Sequence, residues 1–153
     1  MNRKKLKTEP TKGIVALLDA NMQQFEDTKV HKKTCWQRIW EILQRENTKP
    51  IMFQERTSLD QRIYYKAKNN DESIPDRYTI MAIAVGYNIG IDDAKMLLAS
   101  AGYTFISTEK EHHLHIFILT FMHEYNIDVV NTILHEQNFR TLGSQSRTWA
   151  KAN

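Results

Sequence analysis

The sequence predicts an all-α protein: a bundle of short helices with one extra helix before it and a helical hairpin after it. Three observations predict this. Five glycines and three prolines in 153 residues are too few to punctuate a turn-dense β fold. Apolar residues recur at helical spacing, most clearly Trp36, Ile39, Trp40 and Leu43 at i, i+3, i+4 and i+7. Capping residues stand where the helices should begin: Ser58 or Asp60, Asp76 and Asp128.

Residues 1–12, MNRKKLKTEPTK, are polar and basic and are expected to form a flexible arm. The arm carries Arg3, Lys4, Lys5, Lys7 and Lys12 against Glu9, a net charge of +4. Residues 13–34 hold an N-terminal helix and a linker. Ile14, Leu17, Leu18, Met22 and Phe25 give 13–27 an amphipathic pattern, which TKVHKKT breaks. Residues 35–105 form the central domain. It starts with the tryptophan-bearing helix over 35–47, and Pro50 then opens a two-turn helix at its first position. The next helix runs from about Asp60 to Asn69, with Leu59, Ile63 or Tyr64, and Ala67 facing inward. NNDES is a polar loop. Tyr78, Met81, Ala82 and Val85 form the stripe of the following helix, which stops between Gly86 and Asn88. Asp92 and Asp93 favour the start of a helix over 90–105, where carboxylates meet the positive end of the helix dipole; Gly102 marks its end. Residues 106–142 are expected to make the hairpin. Leu114, Phe117, Ile118, Phe121 and Met122 line its first helix, and Val129, Ile133 and Leu134 point inward from its second. Residues 143–153 form a polar tail in which Trp149 is a candidate docking anchor.

Hydrophobic residues at 41% and charged residues at 25% suit one globular domain with an appendage. The lone Cys35 excludes an internal disulfide and a cysteine-based zinc site, and fits a reducing compartment, so a cytoplasmic location is expected. The longest strongly apolar run, IFILTFM, is far too short to span a bilayer, and no membrane partner is expected. The net charge of +3 belongs to the arm, since residues 13–153 come to about −1. His112, His113 and His115 lack a second ligand motif and read as an exposed polar helix start. No metal, no cofactor and no catalytic constellation is expected, and the chain reads as a non-enzyme.

Two short helices joined by a tight turn and followed by two amphipathic helices are the layout of a helix-turn-helix. The stretch MFQERTSLDQRIYYKAKNNDESIPDRYTIMAIAVGYNIGIDDAKMLLASAGYTF resembles the Xre family of regulators, the lambda-repressor- and Cro-like proteins, in the version common in Firmicutes and their phages. Pro75, Thr79, Met81, Ala82, Ile83, Val85 and Gly86 match one family helix. Leu97, Leu98, Ala101, Gly102 and Tyr103 match the next. The likeness covers roughly residues 50–147. It implies a lambda-repressor-like bundle and a sequence-specific transcriptional regulator acting on double-stranded DNA. The recognition helix would start near Asp60 and present Asp60, Gln61, Arg62, Tyr65, Lys66 and Asn69. Lys49 and Gln54 on the supporting helix would face the DNA backbone, and Ser58 stands in the turn. Gln pairs with adenine, Arg with guanine, and Lys and Tyr with phosphate oxygens. Arg3, Lys4, Lys5 and Lys7 would touch phosphates or the minor groove. A homodimer, formed through 109–139 or 13–27, would set two such helices about 34 Å apart on an inverted repeat.

A second expectation comes from a different class. The family usually has glycine where this chain has Ser58 and a small residue where it has Gln54. Asp71, Glu72 and Asp76 flank the expected DNA face, and residues 49–77 sum to a net charge of +1. These features suit a protein-binding inhibitor on the same scaffold, such as an anti-CRISPR or other anti-defence protein or an antitoxin, acting on a host or phage protein and able to regulate its own operon.

Overall fold

The computed structural model describes residues 3–29 and 32–143. The chain divides into two compact units between Lys33 and Thr34. Eight helices and no strand occur among the described residues, and no helix is long and apolar enough to cross a membrane.

The first unit is the helix α1, Arg3–Lys29. The flexible arm expected over 1–12 is corrected here. Helix starts at Arg3, and Arg3, Lys4, Lys5 and Lys7 lie in its first turns, with Pro10 inside it. Lysine, arginine and leucine are good helix formers, so the segment before Pro10 favours helix despite the hydrogen bond that proline removes. Every described side chain from Pro10 to Thr28 is exposed, including Ile14, Leu17, Leu18, Met22 and Phe25.

The second unit holds α2 (Cys35–Arg45), α3 (Pro50–Thr57), α4 (Gln61–Lys68), α5 (Arg77–Gly86), α6 (Ile91–Ser100), α7 (Lys110–Phe121) and α8 (Ile127–Glu136). Local chemistry sets most of the starts. Thr34 and Gln37 form a reciprocal capping box for α2. Pro50 occupies the first turn of α3. Asp60, Asp76 and Asn126 accept backbone N–H groups at the starts of α4, α5 and α8. Asn126, not Asp128, therefore caps α8.

Helix α5 is the hub: Thr79 to Val85 are all buried, and α3, α6, α7 and α8 pack against it. Helix α2 supplies Trp36, Ile39 and Leu43 to the same core and packs on α4 and α6. The expected hairpin over 106–142 is not a pair of helices lying along one another. Helix α7 packs on α5 and α6, and α8 packs on α5. The reason lies in the choice of face. Helix α7 buries His115, Ile118, Leu119 and Met122 at i, i+3, i+4 and i+7 and leaves Phe117 and Phe121 exposed. Helix α8 buries Ile127, Val130, Asn131 and Leu134, while Val129 is exposed and Ile133 half-buried.

The segment after α8 belongs to the core as well. Asn131 pairs with the backbone of Leu142 in both directions: its amide donates to the carbonyl at 2.9 Å and its carbonyl accepts from the N–H at 2.7 Å. That pair of hydrogen bonds gives both the N–H and the carbonyl end of the buried amide a partner and fastens the chain at Leu142, itself fully buried. Gly143, expected in the tail, is packed too; residues 144–153, with Trp149, lie outside the described residues.

Candidate nucleic-acid interface

Three residues, Ser58–Asp60, join α3 to α4. Ser58 adopts the left-handed conformation, φ 60° and ψ 19°, at the end of α3. A non-glycine residue there costs on the order of 1 kcal/mol. The turn is held from three sides. The Ser58 N–H donates to the Gln54 carbonyl at 2.8 Å. The buried Thr57 hydroxyl donates to the Phe53 carbonyl at 2.7 Å and accepts the Leu59 N–H at 3.1 Å. Gly143, also left-handed at φ 93°, lies so close that a Cβ there would sit 2.5 Å from the Ser58 carbonyl oxygen. The C-terminal segment is thus laid directly on the turn.

The inner face of α4 is anchored through one ring. Tyr64 packs edge-on against Trp40 at 5.4 Å and Phe53 at 6.1 Å between centroids, and its hydroxyl donates to the Thr48 carbonyl at 3.2 Å. Leu59 and Ala67 are buried beside it, and Ile63 is half-buried. Helix α3 is tied to α5 by Arg56, whose Nε donates to the Gly86 carbonyl at 2.9 Å while its guanidinium lies 4.1 Å over the Tyr87 ring. An added Cβ on Gly86 would stand 2.5 Å from the Arg56 carbonyl oxygen, so the two helices meet where only a glycine fits.

With its inner face fixed, α4 turns Arg62, Tyr65, Lys66 and Asn69 to solvent, with Gln61 half-exposed. These positions form one continuous helical strip. The Gln61 side chain donates to the Gln54 side chain at 2.9 Å, linking the strip to α3. Tyr65 stands edge-on to Tyr64 at 5.3 Å. Lys49 is exposed at the start of α3. The structure therefore brings Gln54, Ser58, Asp60, Gln61, Arg62, Tyr65, Lys66 and Asn69 together on the α3–α4 pair. Arg3, Lys4, Lys5 and Lys7 belong to the other unit.

The acidic residues near the strip have local tasks. The Asp60 carboxylate accepts the Arg62 backbone N–H at 2.8 Å and the Arg62 Nε at 3.1 Å. The backbone bond first, and then the side-chain bond, hold its pKa below the ordinary carboxylate value. Asp71 is likewise held low by the Ser73 hydroxyl and then the Ser73 N–H. Asp76 accepts the Thr79 N–H at 2.7 Å. A cleft of about 530 Å³ runs along the flank of α4, lined by Arg62, Ile63 and Lys66 on one side and Tyr78, Arg140 and Gly143 on the other. The Arg140 guanidinium lies 3.9 Å over the Tyr78 ring.

Of the three histidines near the start of α7, His113 is exposed as expected and His112 is half-buried, whereas His115 departs from expectation. His112 Nδ1 accepts the Ile106 N–H at 2.8 Å, and His113 Nε2 lies 2.7 Å from the Ser107 carbonyl, so both rings close the preceding turn. His115 is fully buried beneath Tyr78, ring to ring at 6.1 Å, and neither of its nitrogens has a partner. Burial lowers its pKa to about 4. No group of metal-ligating side chains occurs among the described residues. Spacing had marked the outward strip of α4, but nothing in the sequence marked Thr57, Arg140 or Gly143 as its neighbours.

Comparison of the chain with family models, with curated proteins and with solved structures finds no match in any of the three.

Proposed function

We propose that this protein is a sequence-specific DNA-binding regulator whose α4 enters the major groove. The observation that carries the proposal is the division of α4. One face is locked to the core through Tyr64, and the opposite face presents a glutamine, an arginine, a tyrosine, a lysine and an asparagine in one strip. Gln61 and Arg62 have the donors and acceptors that read base edges, while Tyr65, Lys66 and Lys49 suit phosphate oxygens. The link from Gln61 to Gln54 presets the side-chain geometry, which lowers the entropy lost on docking.

The test is selection of a preferred duplex from a random library, followed by titration of variants on it. Arg62→Ala should weaken binding by about 5- to 150-fold, the size of one lost bidentate contact. Lys66→Ala should lower the slope of log affinity against log salt by about one. Wild-type affinity in both variants sinks the proposal.

One observation favours a second reading, a protein-binding inhibitor on the same scaffold. In the free chain the Arg62 guanidinium is bridged by Asp60, which leaves the strip less positive than its arginine and lysine suggest. Asp60→Asn separates the two readings, because asparagine still caps α4 while the negative charge is removed. DNA affinity should rise if phosphates are the partner. A partner captured from lysate that persists at high salt and after nuclease treatment, unchanged by Asp60→Asn, supports the second reading instead.

A further inference from the structure

We infer that Arg140 is a DNA-backbone contact, which works across the cleft from Lys66 so that the two grip the phosphate strand running beside α4. This contact rests on the reading of α4 as a DNA-reading helix.

Arg140 lies between fixed neighbours. Phe139 packs against the core, and Thr141 and Leu142 are buried, with Leu142 tied to Asn131 through both of its backbone groups. The Arg140 side chain is exposed, and its guanidinium lies 3.9 Å over the Tyr78 ring. That ring is held in turn, since the Tyr78 hydroxyl donates to the Glu111 carboxylate at 2.6 Å. Attraction to a ring engages the charge and leaves the N–H fork to bond oxygens, for which phosphate is a good match. A side chain placed before binding also loses little freedom when a phosphate arrives.

The charges around the cleft select its occupant. Arg62, Lys66 and Arg140 oppose Asp60 and Asp76, a net of +1. Both carboxylates are already engaged. Asp60 bonds the N–H and the Nε of Arg62, and Asp76 accepts the Thr79 N–H at the start of α5, where the helix dipole favours an anion. Asp71, whose charge reaches Lys66, bonds the N–H and the hydroxyl of Ser73. Lys66 and Arg140 are exposed, and neither forms an ion pair among the described residues. Each wall of the cleft therefore offers one cation to an anion from solvent.

The position suits a DNA strand. A helix in the major groove, about 12 Å wide, has a phosphate backbone along each flank. Leu59, Arg62, Ile63 and Lys66 make one flank of α4 at i, i+3, i+4 and i+7, and that flank is a wall of the cleft. The loop between α4 and α5 cannot add a second cation, since it holds Asp71, Glu72 and Asp76 and no basic residue. Arg140 supplies it from after α8.

Arg140→Gln is to be titrated on the preferred duplex and on an unrelated one, from about 50 to 200 mM salt. It should lower the slope of log affinity against log salt by about one on both duplexes, so that over this range it loses about three- to fourfold less affinity than the wild type. The preferred duplex should not change, because a phosphate contact reads no base. Arg140→Lys keeps the charge and should keep the slope. Lys95→Gln removes the same charge from an exposed position on α6, outside the cleft, and should leave the slope unchanged. An equal fall in slope for Lys95→Gln would make the effect one of net charge and overturn the contact. Wild-type affinity and slope in Arg140→Gln, where Lys66→Ala loses its unit of slope, overturn the contact and leave the reading of α4 standing. Inorganic phosphate bound by the wild type but not by Arg140→Gln, with duplex binding equal in both, assigns the cleft to a small anion and also overturns the contact. Failure of the wild type to prefer any duplex overturns the reading of α4 and the contact with it.

Discussion

Helices α1 and α5 are built on opposite terms. Helix α1 spans 27 residues, and all its described side chains are exposed; α5 spans 10, and seven consecutive residues, Thr79 to Val85, are buried. Helix α5 has no polar face because neighbours meet it all round, as expected of a helix at the centre of a bundle. Helix α1 keeps a clear apolar arc whose side chains Ile14, Leu17, Leu18, Met22 and Phe25 are exposed. The difference teaches that helical periodicity marks an apolar face but does not report how much of a helix is buried.

Acid should separate the two units most strongly. His115, packed on the hub through Tyr78 of α5, has its pKa lowered by burial from 6.5 to about 4; Glu111 pulls it upward, while Arg77 and His112 push it further down. The unfolded chain therefore binds a proton that the folded chain refuses in the window between those values. The contribution is intact above pH 6.5 and is lost as pH falls toward 4, by about 3 kcal/mol for a shift of that size. Helix α1 holds no histidine. His115→Phe keeps a ring against Tyr78 and should remove most of the loss between pH 7 and pH 4 in urea denaturation followed by the buried tryptophan signal. Equal pH dependence in the variant and the wild type would show that His115 is not the group responsible.

His115 also shows where sequence stops being informative. Helix α7 offers two apolar stripes, one through Leu114, Phe117, Ile118 and Phe121 and one through His115, Ile118, Leu119 and Met122. Hydrophobicity favours the first, and the core takes the second. The choice is set by packing on α5 and α6, and periodicity holds no record of it. Helices α2 and α4 were legible because each has one apolar face: Trp36, Ile39 and Leu43 in α2, and Leu59, Tyr64 and Ala67 around α4, are buried as their spacing predicts. The positive φ of Ser58 was legible from the resemblance, which places a glycine there. The cover over that turn was not, because Gly143 stands 85 residues away in sequence and reaches it through the Asn131–Leu142 pair. The start of α1 was missed because residues 1–12 were read from their polar, basic composition, whereas a run of lysine, arginine and leucine favours helix.

Two glycines test the comparison within single helices. In α5, a methyl on Gly86 would meet the Arg56 carbonyl oxygen at 2.5 Å and its carbonyl carbon at 2.9 Å, both backbone atoms that cannot swing aside. Gly86→Ala must part α3 from α5 or bend one of them, and overpacking of this kind costs about 1–3 kcal/mol. It should lower the melting midpoint of residues 34–143 and, by tilting α3, weaken any binding made by the α3–α4 pair. An unchanged midpoint would mean that α3 and α5 are not in that close contact in solution.

Gly13 is the counterpart in α1, and the same substitution should act in the other direction. A methyl there meets nothing within 4 Å. Alanine in place of glycine inside a helix is favourable by up to about 1 kcal/mol, because the unfolded chain has less freedom to lose. Gly13→Ala should deepen the helical circular-dichroism signal and leave the melting midpoint of residues 34–143 where it was. A fall in that midpoint would mean that position 13 is pressed against a neighbour in solution, and the contrast between a helix held by its core and a helix exposed to solvent would no longer hold.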